Sequence, residues 1–80
     1  MFLEIVTPDE KVFEGEVKLV QLPGTTGSFE ILNNHSPIIS TLKNGKINVT
    51  GADNSSQSFD IKSGVVELQN NKIIILAETK

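Results

Sequence analysis

The only histidine, His35, stands between Asn34 and Ser36, with Pro37 following. A histidine beside a serine invites a nucleophile–base reading, in which the imidazole takes the hydroxyl proton. The spacing defeats it, because neighbours on an extended segment point to opposite sides and Ser36 cannot face His35. No cysteine, second histidine or run of carboxylates stands near enough to complete a metal-ligand set. His35 therefore reads as a loop or interface residue.

The other candidates are weaker. Gly24 and Gly27 could suggest a phosphate cradle, but no lysine follows in the Walker spacing and no helix begins there. They read as turn glycines. Glu10, Glu14 and Glu16 lack the spacing of a calcium loop and suit a solvated strand face. Asn48-Val49-Thr50 and Asn54-Ser55-Ser56 match the glycosylation pattern, incidentally in a chain whose N-terminus, MFLEIV, lacks the basic and long apolar regions of a secretion signal. The sequence thus offers no catalytic, cofactor-binding or metal-ligating residue, and an enzyme is not expected.

Composition narrows the remaining classes. Eighty residues make one domain, over residues 1–80, which can bury only about 60–65% of its unfolded surface. Apolar residues make up 38% of the chain, enough for a core of Ile, Leu, Val and four Phe, with no cysteine to reinforce it. That absence fits a reducing compartment. The net charge of −3 is uneven: residues 1–40 carry six acids and two lysines, residues 41–80 five lysines and four acids. Arginine, whose planar fork serves phosphate and base recognition, is absent, so nucleic acid is not expected as a partner on electrostatic grounds. No apolar run approaches the roughly 18 residues of a membrane helix.

The elements that must present any surface are strands. Phe2–Thr7, Lys11–Glu14, Glu16–Leu22, Ser28–Leu32, Ile38–Leu42, Ile47–Thr50, Gln57–Ile61 and Val65–Gln69 carry β-rich or alternating patterns, and Ile73–Ala77 is continuously apolar. Helical spacing is not sustained over any window of about 11 residues. Expected turns lie at Pro8-Asp9-Glu10, where Asp9 can bond back to the backbone, at Pro23-Gly24, and at Ser63-Gly64 and Asn70-Asn71. Asn44-Gly45 predicts a type I′ hairpin turn. Gly15 predicts a bulge or bend, and the polar stretch Gly51–Ser56 a mobile loop. Short strands at intervals of roughly 8–12 residues predict an all-β sandwich or barrel.

One surplus stands out. Val20, Leu22, Val66, Ile74 and Leu76 sit in strands whose opposite faces are also apolar. Either a second sheet covers them or a partner does. The central stretch Leu22–Pro37, rich in backbone turns and poor in reactive side chains, also points to a partner-binding surface.

Several segments in order resemble the N-terminal domain of the epsilon subunit of F-type ATP synthases. They are Leu3-Glu4-Ile5-Val6-Thr7-Pro8, Val12-Phe13-Glu14-Gly15-Glu16-Val17, Leu22-Pro23-Gly24 with Gly27, Asn34-His35-Ser36-Pro37-Ile38-Ile39, Ser63-Gly64-Val65-Val66-Glu67-Leu68 and Ile75-Leu76-Ala77-Glu78. The resemblance is to the short forms of that subunit. It implies a flattened antiparallel sandwich of about ten short strands at the foot of the central stalk. Such a subunit has no catalysis or cofactor of its own; it binds the gamma subunit and the membrane c-ring and turns with both, at the cytoplasmic face of a bacterial inner membrane. By position, Thr7, His35 and Ser40 fall where the family faces gamma. Ser28, with Glu30 and Asn34, falls where it touches the polar c-ring loops. Many relatives carry a carboxylate at the Ser28 position. Family members commonly continue into a two-helix hairpin that inhibits ATP hydrolysis; the sequence up to Lys80 carries only the part expected to serve coupling and assembly. The competing expectation is a free-standing sandwich that binds a peptide or carbohydrate, which would need an exposed aromatic platform in a chain with no Trp or Tyr.

Overall fold

Alternating β-branched and polar residues become strand along nearly the whole chain. The structure, a computed structural model, describes residues 1–79, and Lys80 lies outside them. Eight strands follow one another: β1 (Phe2–Val6), β2 (Lys11–Gly24), β3 (Gly27–Leu32), β4 (Ile38–Leu42), β5 (Gly45–Gly51), β6 (Ser56–Ile61), β7 (Ser63–Gln69) and β8 (Lys72–Glu78). They fold into a flattened block of 28 × 23 × 18 Å, the all-β sandwich expected. The resemblance implies about ten strands and the sequence pattern marks nine segments; eight form, one fewer than the pattern, because Lys11–Glu14 and Glu16–Leu22 fuse into the 14-residue β2.

β2 belongs to both layers. Its first half pairs with β1, completing a sheet ordered β4-β7-β8-β1-β2. Its second half lies between β3 and β5, in a sheet ordered β3-β2-β5-β6. Every ladder among the described residues is antiparallel save β1–β8, which is parallel. Gly15 makes no bulge; it stays in register opposite Leu3. The irregularity falls between Val17 and Leu19, in the pairing with β5. An extra residue there flips strand parity, so Val17, Val20 and Leu22 all turn inward despite their odd spacing, and Leu19 does not.

Inward side chains from both sheets form one core. Leu3, Ile5, Val20, Ile31, Ile47, Ile61, Val66, Ile73 and Ile75 are fully buried, and among the described residues none that is buried is polar or charged. Phe13 and Phe59 meet edge-to-face at 5.7 Å and clasp β2 of one sheet to β6 of the other.

Four turns differ from expectation. Ser63-Gly64 is already strand, paired with Glu78 and Ala77, and the bend that leads into β7 falls at Lys62. Asn44-Gly45 is no hairpin: neither residue has positive φ, and β4 and β5 lie in different sheets. Glycine is needed there for space, since a Cβ at Gly45 would lie 2.8 Å from Pro23 Cβ. The left-handed pair is Asn70-Asn71, at φ 53° and 60°, closing β7 onto β8. Pro23-Gly24 stays in strand, and the chain reverses through Thr25-Thr26, with Gly27 at φ 139°. At the β1–β2 turn the side chain that bonds back is Thr7, not Asp9: its Oγ1 accepts the Asp9 and Glu10 N–H groups at 3.3 and 3.1 Å. The Gly51–Ser56 stretch is ordered by Asp53, whose Oδ1 accepts Ser55 Oγ and N–H at 2.6 and 3.0 Å.

Two outcomes are expected. Gly24→Ala should cost about 1–3 kcal/mol in urea unfolding, because its Cβ would fall 2.6 Å from the Gly27 carbonyl oxygen and 2.8 Å from the Phe29 ring. The Ser55 hydroxyl, then its N–H, holds the Asp53 carboxyl below the usual carboxylate range. Its contribution is therefore present above the ordinary aspartate value of about 3.9 and is lost as pH falls through its lower folded value. The protection factor of the Ser55 amide, its exchange relative to an unstructured chain at the same pH, should fall in that acid window and be low at all pH values in Asp53→Ala.

Candidate partner interface

The two sheets turn unlike faces to solvent. On the first, strand register places Thr41, Val65, Leu76 and Val6 in one row across β4, β7, β8 and β1. Ile39, Glu67, Ile74 and Glu4 form the next row. Ile39 is 75% exposed, Leu76 59% and Val65 40%, while Val6 and Ile74 are half-buried. Two shallow hollows flank this strip. One of about 290 Å³ is bounded by Val6, Thr7, Pro8, Gly64 and Leu76. The other, of about 330 Å³, lies beside Pro37, Ile39, Glu67 and Gln69. Burying one such aliphatic side chain fully is worth about 1.5–3 kcal/mol, so a partner that covers the strip gains from several at once.

The second sheet is mostly polar outside, its apolar exception being Leu32 at 55% exposure, opposite half-buried Leu19. Glu30, Gln21, Asn48 and Ser58 stand in one cross-strand line over β3, β2, β5 and β6. Gln21 Nε2 donates to Glu30 Oε2 at 2.8 Å, and Ser58 Oγ to Asn48 Oδ1 at 2.7 Å. Lys46 pairs with Asp60 at 3.3 Å in the adjoining row. Such a face is already satisfied in water.

The surplus apolar residues therefore divide. Val20, Leu22 and Val66 are covered by the sandwich, whereas Leu76, and in part Ile74, remain outside with Ile39 and Val65. Ile39 and Val65 were not among the residues singled out from the sequence. The signal for them was present: Ile38-Ile39 and Val65-Val66 put apolar groups on both faces of strands adjoining the continuous run in β8.

The six residues singled out by resemblance do not form two compact clusters. Thr7 follows the strip at its β1 end and borders its first hollow. Ser40 adjoins Ile39 in β4 but pairs with buried Val66, on the inner side of the strand. His35 lies in the β3–β4 loop at the opposite end of the block, exposed, its Nδ1 donating to the Ser36 carbonyl oxygen at 2.7 Å. Asn34, at φ 64°, is beside it, and its N–H donates to Asn71 Oδ1 at 2.9 Å. Ser28 starts β3 at the far end, paired with Pro23, next to a tip made of two turns. The Lys43 N–H bonds the Pro23 carbonyl at 2.8 Å, and Thr25 Oγ1 and Thr41 Oγ1 share a hydrogen bond at 2.9 Å. Glu30 is exposed on the polar face between Ser28 and Asn34.

Electrostatic coupling is local. Glu4, then Glu14, raises the Lys11 ammonium above its ordinary value; the lysine bridges them at 3.0 and 3.3 Å. No group of three metal-ligating side chains occurs among the described residues. Phe2, Phe13, Phe29 and Phe59 are all partly buried, so no open aromatic platform for a sugar exists among them.

The family model for the ATP synthase delta/epsilon chain β-sandwich domain matches residues 1–80. The ATP synthase epsilon chain of Chlorobium limicola is 43% identical over 76 residues, covering 95% of this chain and 86% of that one. The epsilon chain of Bordetella parapertussis is 33% identical over 79 residues, but this chain spans only 56% of its length. In fold, the chain superposes with TM-score 0.87 on part of the Euglena gracilis mitochondrial ATP synthase, a structure of OSCP, F1 and c-ring. It shares 18% identity there and covers 94% of this chain and 48% of the other. A Tetrahymena thermophila central stalk and c-ring structure gives TM-score 0.80 at 20% identity, covering 98% and 63%.

If the strip does no folding work, Ile39→Ser and Leu76→Ser should leave unfolding free energy within about 0.5 kcal/mol of the unaltered chain. Ile75→Ala, one residue away but fully buried, should cost about 2–5 kcal/mol. Urea titration of the three variants checks the contrast.

Proposed function

The chain belongs to the ATP synthase epsilon-chain family, and from that premise we propose that it couples a gamma subunit to the membrane c-ring as a non-catalytic part of the rotor. It would work as one unit over residues 1–80, at the cytoplasmic face of a bacterial inner membrane, held to the membrane only through the ring.

The observation that carries this reading is the exposed apolar strip over β4, β7 and β8, with Leu76 at 59% and Val65 at 40% in one row and Ile39 at 75% in the next. Small soluble domains seldom leave such a contiguous patch open without a partner to cover it. Gamma is assigned to this face. Thr7 follows the strip at its β1 end, Ser40 lies in β4 beside Ile39 but turned to the inner side, and His35 stands just before β4. The ring is assigned to the two-turn tip at Ser28, with Glu30 on the adjoining polar face. Serine in place of a carboxylate makes the tip's own contribution hydrogen bonds from hydroxyl and backbone groups. Asn34 sits at the His35 end, its amide already engaged by Asn71, and falls on the gamma side.

Co-purification with gamma and with the c-ring tests the assignment. Leu76→Glu, which places a charge in the row, should weaken gamma binding roughly 30-fold or more. It should leave the fold intact by circular dichroism. His35→Glu with Ser40→Glu should weaken gamma binding less. Ser28→Lys should disturb ring retention and spare gamma. Undiminished gamma binding by Leu76→Glu would remove the face from the interface.

A further inference from the structure

The apolar face holds one charge at its middle. Glu67 on β7 stands between Ile39 of β4 and Ile74 of β8 in the same row. Hollows of about 330 and 280 Å³ lie on its two sides, and it borders both. Its carboxylate makes no salt bridge or side-chain hydrogen bond among the described residues. The other acids at the first-sheet surface are engaged: Glu4 and Glu14 by Lys11, Glu16 by the Met1 ammonium at 3.3 Å, and Glu78 by Ser63 Oγ at 3.2 Å. The nearest cation on the same face is Lys72, diagonally across β7–β8. Its Nζ sits 6.0 Å from the Phe2 ring centroid.

In the free chain Glu67 is solvated and costs nothing. Once a partner covers Ile39, Val65 and Leu76, it loses that water, and an unpaired buried carboxylate is among the most costly things an interface can contain. Resting on the coupling reading above, we propose that the covering subunit carries a cationic side chain, most suitably a guanidinium, which enters a hollow beside Glu67 and pairs with it. The apolar row supplies affinity, and the single charge fixes the register in which the two surfaces meet. A guanidinium fits best because its planar fork can bind a carboxylate at two points while its faces stack on aliphatic neighbours.

The test measures binding of the full chain to the gamma subunit by calorimetry, with thermal melts to check that the exposed substitutions leave the fold unchanged. Glu67→Lys should weaken binding by roughly 30-fold or more, and Glu67→Gln by a smaller factor. Because the pair is shielded from solvent, the Glu67→Gln loss should persist in high salt. Reversing one gamma arginine or lysine to glutamate should restore binding to Glu67→Lys. The inference is overturned if Glu67→Lys binds within twofold of the unaltered chain. It is equally overturned if Lys72→Gln weakens binding as much as Glu67→Lys while no gamma reversal restores it, since Lys72 would then supply the cation. Failure of the unaltered chain to bind gamma at all would instead remove the coupling reading, and this inference with it.

Discussion

One strand holds the two sheets in a single hydrogen-bonded system. β2 runs 14 residues, from its ladder with β1 to its closing pair with β3 at Gly24–Gly27, and it changes sheets without a break. A small sandwich has few core residues with which to keep two sheets aligned. Here alignment does not rest on side-chain packing alone, because sliding one sheet over the other would shear the backbone of β2. The irregularity beyond Val17 makes the arrangement possible. Without the parity flip, Val20 and Leu22 would face solvent and the second sheet would have no inner face at its centre.

That continuity also explains why the outer surfaces can differ so sharply. With the core complete between the sheets and no polar residue buried, neither outer face is needed for folding, and each is free to meet its surroundings. The second sheet uses this freedom for a line of paired amide, carboxylate and hydroxyl groups. The first leaves isoleucine, valine and leucine exposed together, where the second exposes only Leu32 to that degree among the described residues. An outward leucine at 59% exposure gains the free chain little, and a row of them raises its tendency to aggregate. The asymmetry fits the proposed function, in which a partner covers one side and the other stays wet. A free-standing ligand-binding module has no need of it.

Much of this was legible in the sequence, and what was not has physical causes. Alternation in Leu3/Ile5, Ile47/Val49 and Phe59/Ile61 marked strands and inward faces correctly because each lies in a regular ladder. Gly15 misled because a glycine in a strand signals a bulge only when the register demands one, and opposite Leu3 it does not. Asn44-Gly45 carried the local chemistry of a type I′ turn, but its flanking strands were claimed by different sheets, and pairing partners far along the chain outweighed a two-residue preference. Asn70-Asn71 took that role because β7 and β8 are true neighbours. The position-based site residues were the least legible. Thr7 and His35 are far apart in space, and Ser40 points opposite to Ile39, so a list by sequence position could not show which of them share a surface. The apolar surplus was the better guide, since it counts what the core has no room for.

On the proposed reading, force passes between the apolar face and the Ser28 tip, and the topology supplies a short route between the two. The exposed row sits on β7 and β8, where Val65 pairs with Leu76. One residue along, Gly64 pairs with Leu42 of β4, and Leu42 with Gly24 at the end of β2. Gly24 closes directly on Gly27, next to Ser28 at the tip. Each step is a backbone ladder contact, not a flexible side chain, and two further main-chain bonds, Thr25 N–H to the Thr41 carbonyl and Lys43 N–H to the Pro23 carbonyl, brace the last one. The glycines along this route are there for closeness: a Cβ at Gly64 would meet the Leu76 carbonyl oxygen at 2.8 Å, and one at Gly24 the Gly27 carbonyl oxygen at 2.6 Å. Larger residues would push these strands apart. The same close approach that lets β4, β7 and β8 lie tight also binds the apolar face to the tip as one stiff body.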